Sequence, residues 1–377
     1  MCIHLAIDAI GIKHSGGATV LLDVLGAAIN DARFREVSVF CSPRADRRFD
    51  ISIGGKIREI ECGLAERNRL YRLWWLENRL PSEVQKCGAG VLLCMSGIGS
   101  AGGRLPHVTF IQQPLPFFSE DLTSIGPFER LRLSVIFRAM KRSCMSSRRV
   151  IVQTPTMLSR VSEAFGIAAE RISAILPAVY DFPESHACSG RLNPMRKVSV
   201  GLRLLYVGSR SNYKNVGILL NLMKRLRTLL PDLKLFLTWP PDHPACCVEG
   251  VVGLGYLGRG ELREAYELAT ALIMPSLVET VGLPMLEAMN LGTPVLAADR
   301  PYAHDICEDA ALFFDPFDSG DLANKLLYLL GDERLRRKLI SSGHDVVRKR
   351  CLDRPYERIL DILASFAFVR DQEKLVI

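Results

Sequence analysis

Two glutamates, Glu279 and Glu287, bracket the stretch of this chain with the richest chemistry. They lie in Pro275-Ser276-Leu277-Val278-Glu279-Thr280-Val281-Gly282-Leu283-Pro284-Met285-Leu286-Glu287-Ala288-Met289. A carboxylate accepts hydrogen bonds from hydroxyls and stabilises a neighbouring positive charge. Between the acids, Gly282 admits close backbone approach and Pro284 suits the first turn of a helix. A helix start presents unpaired amides, and these bind anions. Acids beside an anion site suit a ligand with both hydroxyls and phosphates, such as a nucleotide-sugar. Upstream, Gly208-Ser209-Arg210-Ser211-Asn212-Tyr213-Lys214-Asn215 follows a second apolar run. A glycine turn carrying two cations, Arg210 and Lys214, ahead of a helix suits a diphosphate clamp. Lys214 taken alone is also an ordinary loop lysine; the spacing favours the clamp.

These residues need elements to hold them. The apolar run at 271–274 reads as a buried parallel strand ending at Pro275-Ser276, and open α/β sheets bind ligands at that edge. A helix over 284–291 follows, stopped by Gly292, and 294–298 is the next strand. The run at 202–207 reads as another strand, with a helix over 216–229. Nearer the start, residues 3–9 form a strand, 10–15 a loop, and 18–28 a helix preceded by Gly16-Gly17. That glycine pair puts bare amides at a helix start. Strands are expected at 36–40, 91–95 and 150–152, and 107–116 opens with a short strand leading into Gln112. Trp74, Trp75, Leu76 and Leu80 on a helical stretch read as core packing. Residues 319–350 read as two charged helices, and 352–366 as a final amphipathic one. Strands alternating with helices imply an α/β fold with doubly wound sheets. Residues 181–198, rich in proline and polar residues, read as a linker. The division is then 1–180, a linker, 199–350, and a closing segment 351–377.

Composition bounds the function. The 377 residues, 48% hydrophobic and 24% charged, suffice for two globular domains of ~100–200 residues each. The net charge of +7 suits anionic partners. It is the only feature pointing toward nucleic acid, and no nucleic-acid partner is expected. The 11 cysteines include no C-x-x-C pair and read as buried thiols in a reducing compartment. No signal-peptide pattern opens the chain, and no apolar run reaches the ~18 residues that span a bilayer. A cytoplasmic protein, soluble or peripheral, is expected. Residues 129–149 set Arg130, Arg132, Arg138, Lys141, Arg142, Arg148 and Arg149 against Glu129, with Leu131, Leu133, Val135, Ile136, Phe137 and Met140 as apolar partners. This is either a solvated helix face or a contact with an anionic membrane surface. Gly253, Gly255 and Gly258 satisfy G-x-G-x-x-G, which by itself points weakly to a dinucleotide. No metal-ligand cluster occurs, so no metal and no other cofactor is expected.

The run 275–289 resembles the E-x7-E signature of retaining glycosyltransferases of family 4, which have the GT-B fold. Glu279 and Glu287 hold the two acidic positions and Gly282-Leu283-Pro284 match. Thr280 replaces a small residue and Val281 a phenylalanine. The resemblance implies two Rossmann-like doubly wound domains facing across a cleft. The first would bind the acceptor and the second the nucleotide-sugar, with the last helix crossing back to the first. Loop 208–215 is similar to the family's G-R-x4-K-N: Gly208, Lys214 and Asn215 match. Ser209 holds the arginine position, and Arg210 comes one residue later. Gln112 stands where the family often has a histidine near the donor sugar. The loop with Tyr256 would pack on the nucleotide base. The resemblance thus implies Glu279, Lys214 and Arg210 as catalytic residues. It implies donor contacts at Gly16, Gly17, Gln112, Gly208, Ser209, Tyr256, Thr280, Val281, Gly282, Leu283 and Glu287. The implied activity is a retaining hexosyl transfer, best read as mannose from GDP-mannose. The acceptor would be a glycan or a lipid-linked glycan of bacterial surface polysaccharide, at the inner face of the cytoplasmic membrane. Two alternatives stand beside it: an inactive nucleotide-binding module of the same fold, and an NAD-dependent oxidoreductase resting on 253–258.

Overall fold

The computed structural model describes residues 3–13, 16–47, 50–51, 55–99, 105–118, 126–179 and 190–374, with the backbone alone for 69–70 and 368–374. Residues 14–15 of the first loop and 181–189 of the expected linker lie outside the described residues. The chain divides into two units, 1–177 with 354–377, and 178–353.

Unit 1 runs β1 (Ile3–Ala9), α1 (Gly16–Asn30), β2 (Phe34–Cys41), β3 (Ile57–Glu61), α2 (Arg69–Asn78), α3 (Leu80–Lys86), β4 (Val91–Cys94), β5 (His107–Phe110), α4 (Pro127–Ser146), β6 (Arg149–Val152), α5 (Pro155–Phe165) and β7 (Ile172–Ala174). Its described strands form one parallel sheet in the order β3-β2-β1-β4-β5-β6-β7. The central strands are near-continuous apolar runs because helices cover both faces of such a sheet. Val91, Leu93, Val150, Ile151 and Val152 are fully buried. Polar residues interrupt this core at Ser38, His107 and Thr109, and the acid among the buried residues of its strands is Asp8, completely buried near the end of β1.

Three expectations shift here. Gly16 and Gly17 are the first residues of α1 rather than a turn before it. Trp75, Leu76 and Leu80 are buried as expected, but Trp74 is 47% exposed, its ring against Tyr71 one turn earlier on α2. The apolar residues of α4 do not share one face. Leu133 and Met140 join the core, and Phe137 stacks among Phe117 and Phe165. Phe128, Leu131 and Val135 are instead exposed, and Arg142 pairs with Glu77 of α2.

Unit 2 runs α6 (Asn193–Arg196), β8 (Arg203–Tyr206), α7 (Gly217–Leu226), β9 (Lys234–Leu237), β10 (Val251–Gly253), α8 (Arg259–Leu268), β11 (Ala271–Met274), α9 (Leu283–Asn290), β12 (Val295–Ala298), α10 (Pro301–Cys307), β13 (Ala311–Phe314), α11 (Ser319–Gly331) and α12 (Glu333–Leu352). Its described strands form a parallel sheet ordered β10-β9-β8-β11-β12-β13. On α7, Ile218, Leu219, Leu222, Met223 and Leu226 recur at helical spacing and bury against Leu235, Leu237 and Ile273. Residues 190–196, expected as linker, are helical and belong to this unit, with Leu192 and Met195 fully buried.

The chain then returns to unit 1 as α13 (Pro355–Lys374). Tyr356, Ile359, Leu360, Leu363 and Ala367 line its buried face, which packs on α1 and β4. Asp361 pairs with Arg33 at 2.7 Å. No helix among the described residues is long and apolar enough to cross a membrane.

Candidate active site

Strand order locates the site before any side chain is considered. In unit 2 the chain winds from β8 outward to β10, then returns to β11 and winds the other way. The crevice above the carboxyl ends of β8 and β11 is the topological switch point, where such sheets bind ligands. The loops leaving those two strands are 207–216 and 275–282, the two stretches singled out by their chemistry.

The first loop is held from below. Buried Tyr206 donates its hydroxyl to the Ser209 carbonyl at 3.0 Å, and Trp239 Nε1 donates to the Gly208 carbonyl at 2.8 Å. A Cβ on Gly208 would lie 2.5 Å from Tyr206 Oη, so the loop passes this ring only as glycine. The loop then makes a tight turn over Asn212–Lys214 and ends at Asn215, whose φ is 51°. Asparagine tolerates that left-handed conformation better than most residues. Asn215 Nδ2 donates to the Pro316 carbonyl at 2.7 Å, tying this loop to the one after β13. Leu277 N donates to the Tyr213 carbonyl at 2.8 Å, tying it to the loop after β11.

These ties bring the charges together. Lys214 Nζ donates to Glu279 Oε1, with the two side chains only 13% and 11% exposed. At contact, each of two groups this sheltered offsets part of the hydration that the other has lost. Tyr302 donates its hydroxyl to the Ser276 carbonyl at 2.7 Å, fixing the start of the acid's loop. Ser276 Oγ is buried without a hydrogen-bond partner among the described residues. Gly282, at φ 77°, caps α9 and turns the loop into it. Val281, Leu283 and Thr280 are all buried, so any contact of Val281 or Leu283 with a polar ligand runs through the backbone. Glu287 sits one turn into α9, and Tyr266 of α8 donates its hydroxyl to Glu287 Oε2 at 2.7 Å. Burial, and then the Glu287 charge, push the Tyr266 phenol well above its ordinary range.

Not every expected residue joins this group. Ser209 and Arg210 are exposed, and Arg210 makes no hydrogen bond or ion pair among the described residues. Tyr256 is 52% exposed beyond β10, its carbonyl accepting from Arg191 at 2.8 Å. The glycine pattern 253–258 begins on β10, the edge strand, far from the β8/β11 switch point where a dinucleotide fingerprint belongs. Gly253 has a packing reason instead: its Cβ would lie within 2.8 Å of the backbone at 239–241. His304 bonds Asp299 at 2.7 Å and stacks on Phe313.

Unit 1 gathers its own polar group at the β1/β4 switch point and beside it. Gly17 at the start of α1 faces Gln112 beyond β5; a Cβ on that glycine would stand 3.5 Å from Gln112 Oε1. Asp8, which the sequence reading passed over, accepts from Ser96 Oγ at 2.6 Å and from Ile10 N at 3.1 Å. Burial is the main cause that raises its carboxyl to about 7. The available signal was an acid inside an otherwise apolar strand. Among the described residues, no three His, Cys, Asp or Glu side chains gather as metal ligands would.

Residues 248–346 match the glycosyl transferases group 1 family, and that segment contains both glutamates and Tyr266. The chain is 27% identical over 227 residues to the O-antigen chain mannosyltransferase B of Escherichia coli, covering 56% of this chain and 59% of that one. It spans little more than half the length of the curated relatives it matches, at 59%, 52% and 50% for the first three. Among solved structures, WaaG, a glycosyltransferase involved in lipopolysaccharide biosynthesis, superposes with a TM-score of 0.73 at 18% identity, covering 95% of this chain and 99% of WaaG. Anabaena HepE in complex with UDP-glucose superposes at 0.70 with 16% identity, covering 96% and 100%. The fold is the two-domain α/β GT-B fold of glycosyltransferases, as the resemblance implied.

Proposed function

We propose that the chain, carrying this glycosyl transferases group 1 segment on a GT-B fold, is a retaining hexosyltransferase that uses a nucleotide-sugar and no metal. The observation that supports this most is the sheltered Lys214–Glu279 pair at the unit 2 switch point. Transfer breaks the bond from the anomeric carbon to the diphosphate oxygen. The leaving diphosphate gains negative charge, and the sugar ring gains positive charge. Lys214 and the amides at the start of α9 answer the first; Glu279 answers the second. When a donor binds, its diphosphate becomes a new partner for Lys214, and Glu279 turns to the sugar hydroxyls. Glu287 accepts from the ribose hydroxyls. The acceptor hydroxyl forms the new bond on the same face, and the departing phosphate takes its proton. The donor is GDP-mannose in this reading, in line with the named mannosyltransferase relative; UDP-glucose, bound by HepE, is the main competitor. The acceptor is a glycan, free or lipid-linked, of a bacterial surface polysaccharide.

A lipid-linked acceptor requires access to a membrane, and α4 supports that access at the cytoplasmic surface. Phe128 is 81% exposed and Leu131 65% exposed, and Val135 lies on the same side at helical spacing. Exposed Arg138 and Arg142 continue that row one and two turns on. Apolar residues interleaved with cations suit an anionic interface. Reversing Arg138 and Lys141 to Glu should weaken binding to anionic vesicles while leaving donor hydrolysis unchanged; unchanged vesicle binding would return α4 to an ordinary solvated face.

The decisive assay offers a panel of nucleotide-sugars, GDP-mannose and UDP-glucose included, with a lipid-linked acceptor mixture. Release of nucleoside diphosphate and the anomeric configuration of the product are read together. An inverted product removes the retaining mechanism. Ser209 at the family's arginine position and Gln112 at its histidine position favour a second reading, an inactive nucleotide-binding module. Nucleotide binding without release from any donor would select it.

A further inference from the structure

We infer that Tyr266 is a positioning residue for nucleotide recognition: its hydroxyl holds the Glu287 carboxylate in the orientation that distinguishes ribose from deoxyribose. The inference rests on the proposed role of Glu287. Tyr266 ends the last full turn of α8, and its ring is completely buried. Its backbone carbonyl accepts from Thr293 Oγ1 at 2.8 Å and from Ala269 N at 3.0 Å, which anchors the residue to the segments on either side of β11 and α9. A fully buried ring on an anchored backbone has one available orientation. Its hydroxyl therefore stands at a fixed point, 2.7 Å from Glu287 Oε2.

The direction of that bond follows from the groups. An ionised carboxylate only accepts, so the phenol donates. Burial and the neighbouring negative charge keep the proton on the phenol throughout the working pH range. A glutamate on a helix otherwise distributes over several rotamers, and ordering it on ligand binding has an entropic cost. Tyr266 removes that cost in advance, which is how preorganised contacts raise affinity. A carboxylate with a fixed plane presents its acceptors to two neighbouring hydroxyls at once. A ligand lacking one hydroxyl leaves an acceptor without its partner, and rejection of that kind is stronger than rejection by shape. The phenol therefore contributes to discrimination without touching the nucleotide.

The test measures equilibrium binding of GDP and UDP and of their 2′-deoxy counterparts by calorimetry, with no need for turnover. The parent protein should prefer the ribose form about tenfold or more. Tyr266→Phe, which keeps the ring, should reduce that preference to about threefold or less. Glu287→Asp, which withdraws the carboxylate by one methylene from the phenol, should do the same and carries the test if the first variant does not fold. A folded Tyr266→Phe protein with parental preference overturns the inference. Equal weakening for ribose and deoxyribose forms also overturns it, because that is what a purely structural tyrosine would give. A parent that binds nucleotides but ignores the 2′-hydroxyl removes this role while leaving glycosyl transfer standing. A parent that binds no nucleoside diphosphate removes both.

Discussion

Each of the two sheets has a carboxylate at its switch point, and the two are treated in opposite ways. In unit 2, Glu279 is met by the ammonium of Lys214. In unit 1, Asp8 is met by a hydroxyl and a backbone amide, and its carboxyl is raised to about 7. The Arg72 charge is the weakest influence on it, so burial prevails. The same topology thus produces an ion pair in one unit and a hydrogen-bonded clamp in the other. The difference lies in the partner: Lys214 brings a full opposite charge to Glu279, whereas the hydrogen bonds to Asp8 do not outweigh its burial. The Asp8 bonds join the loops leaving β1 and β4, so its work is to hold two loop starts together.

Breaking the charged centre should have the largest effect. Lys214→Ala and Glu279→Gln should each lower kcat by about 2–4 kcal/mol in barrier terms, with smaller changes in KM. Steady-state kinetics against the best donor, with thermal unfolding alongside, measures this. Near-full turnover in both folded variants would dissolve the contrast between the two switch points. The Asp8 clamp should reveal itself in stability instead. The Asp8 carboxyl is near 3.8 when unfolded and about 7 when folded, so the folded state retains a proton that the unfolded chain releases. That contribution is whole below about pH 4 and is lost as pH rises toward about 7. Asp8→Asn removes the titration while keeping the shape. Its unfolding free energy relative to the parent should therefore rise by on the order of 3 kcal/mol between about pH 4 and about pH 8. A pH-independent difference would mean that Asp8 is ionised like its counterpart.

Smaller effects sharpen the picture within unit 2. In the proposed role Glu287 accepts from a ribose whose charge does not change during transfer, so Glu287→Gln should raise donor KM about tenfold and leave kcat nearly intact. A fall in kcat instead would move this residue into the reacting centre. The smallest expected effect is that of excess EDTA, since in the proposed mechanism Lys214 supplies the cation at the diphosphate. Turnover should be unchanged; loss of activity restored by manganese would assign that role to a metal.

Much of unit 2 was legible because its signals are local. Gly208, Lys214, Glu279, Gly282 and Glu287 lie in two short runs whose spacing carries the chemistry, and the strands before them are plain apolar segments. The exposure of Arg210 and the burial of Val281 and Leu283 were not legible, because loop composition does not record which side chains a loop turns outward. Asp8 was overlooked because an acid in an apolar strand acquires meaning only from what faces it.

The sequence by itself determined the alternation of strands and helices, the doubly wound sheets, and the residue types at the site. It did so because burial on both faces demands unbroken apolar runs, and because caps and turns demand particular residues within a few positions. Only the tertiary structure decided which of those residues meet. Lys214 finds Glu279 across 65 residues, Tyr266 finds Glu287 across 21, and Ser96 finds Asp8 across 88. The final helix rejoins the first unit, although an entire sheet separates it from that unit in the chain. Such meetings are fixed by strand order and by the reversal of winding at β8 and β11. Those follow from the packing of the whole sheet, which no local pattern of residues contains.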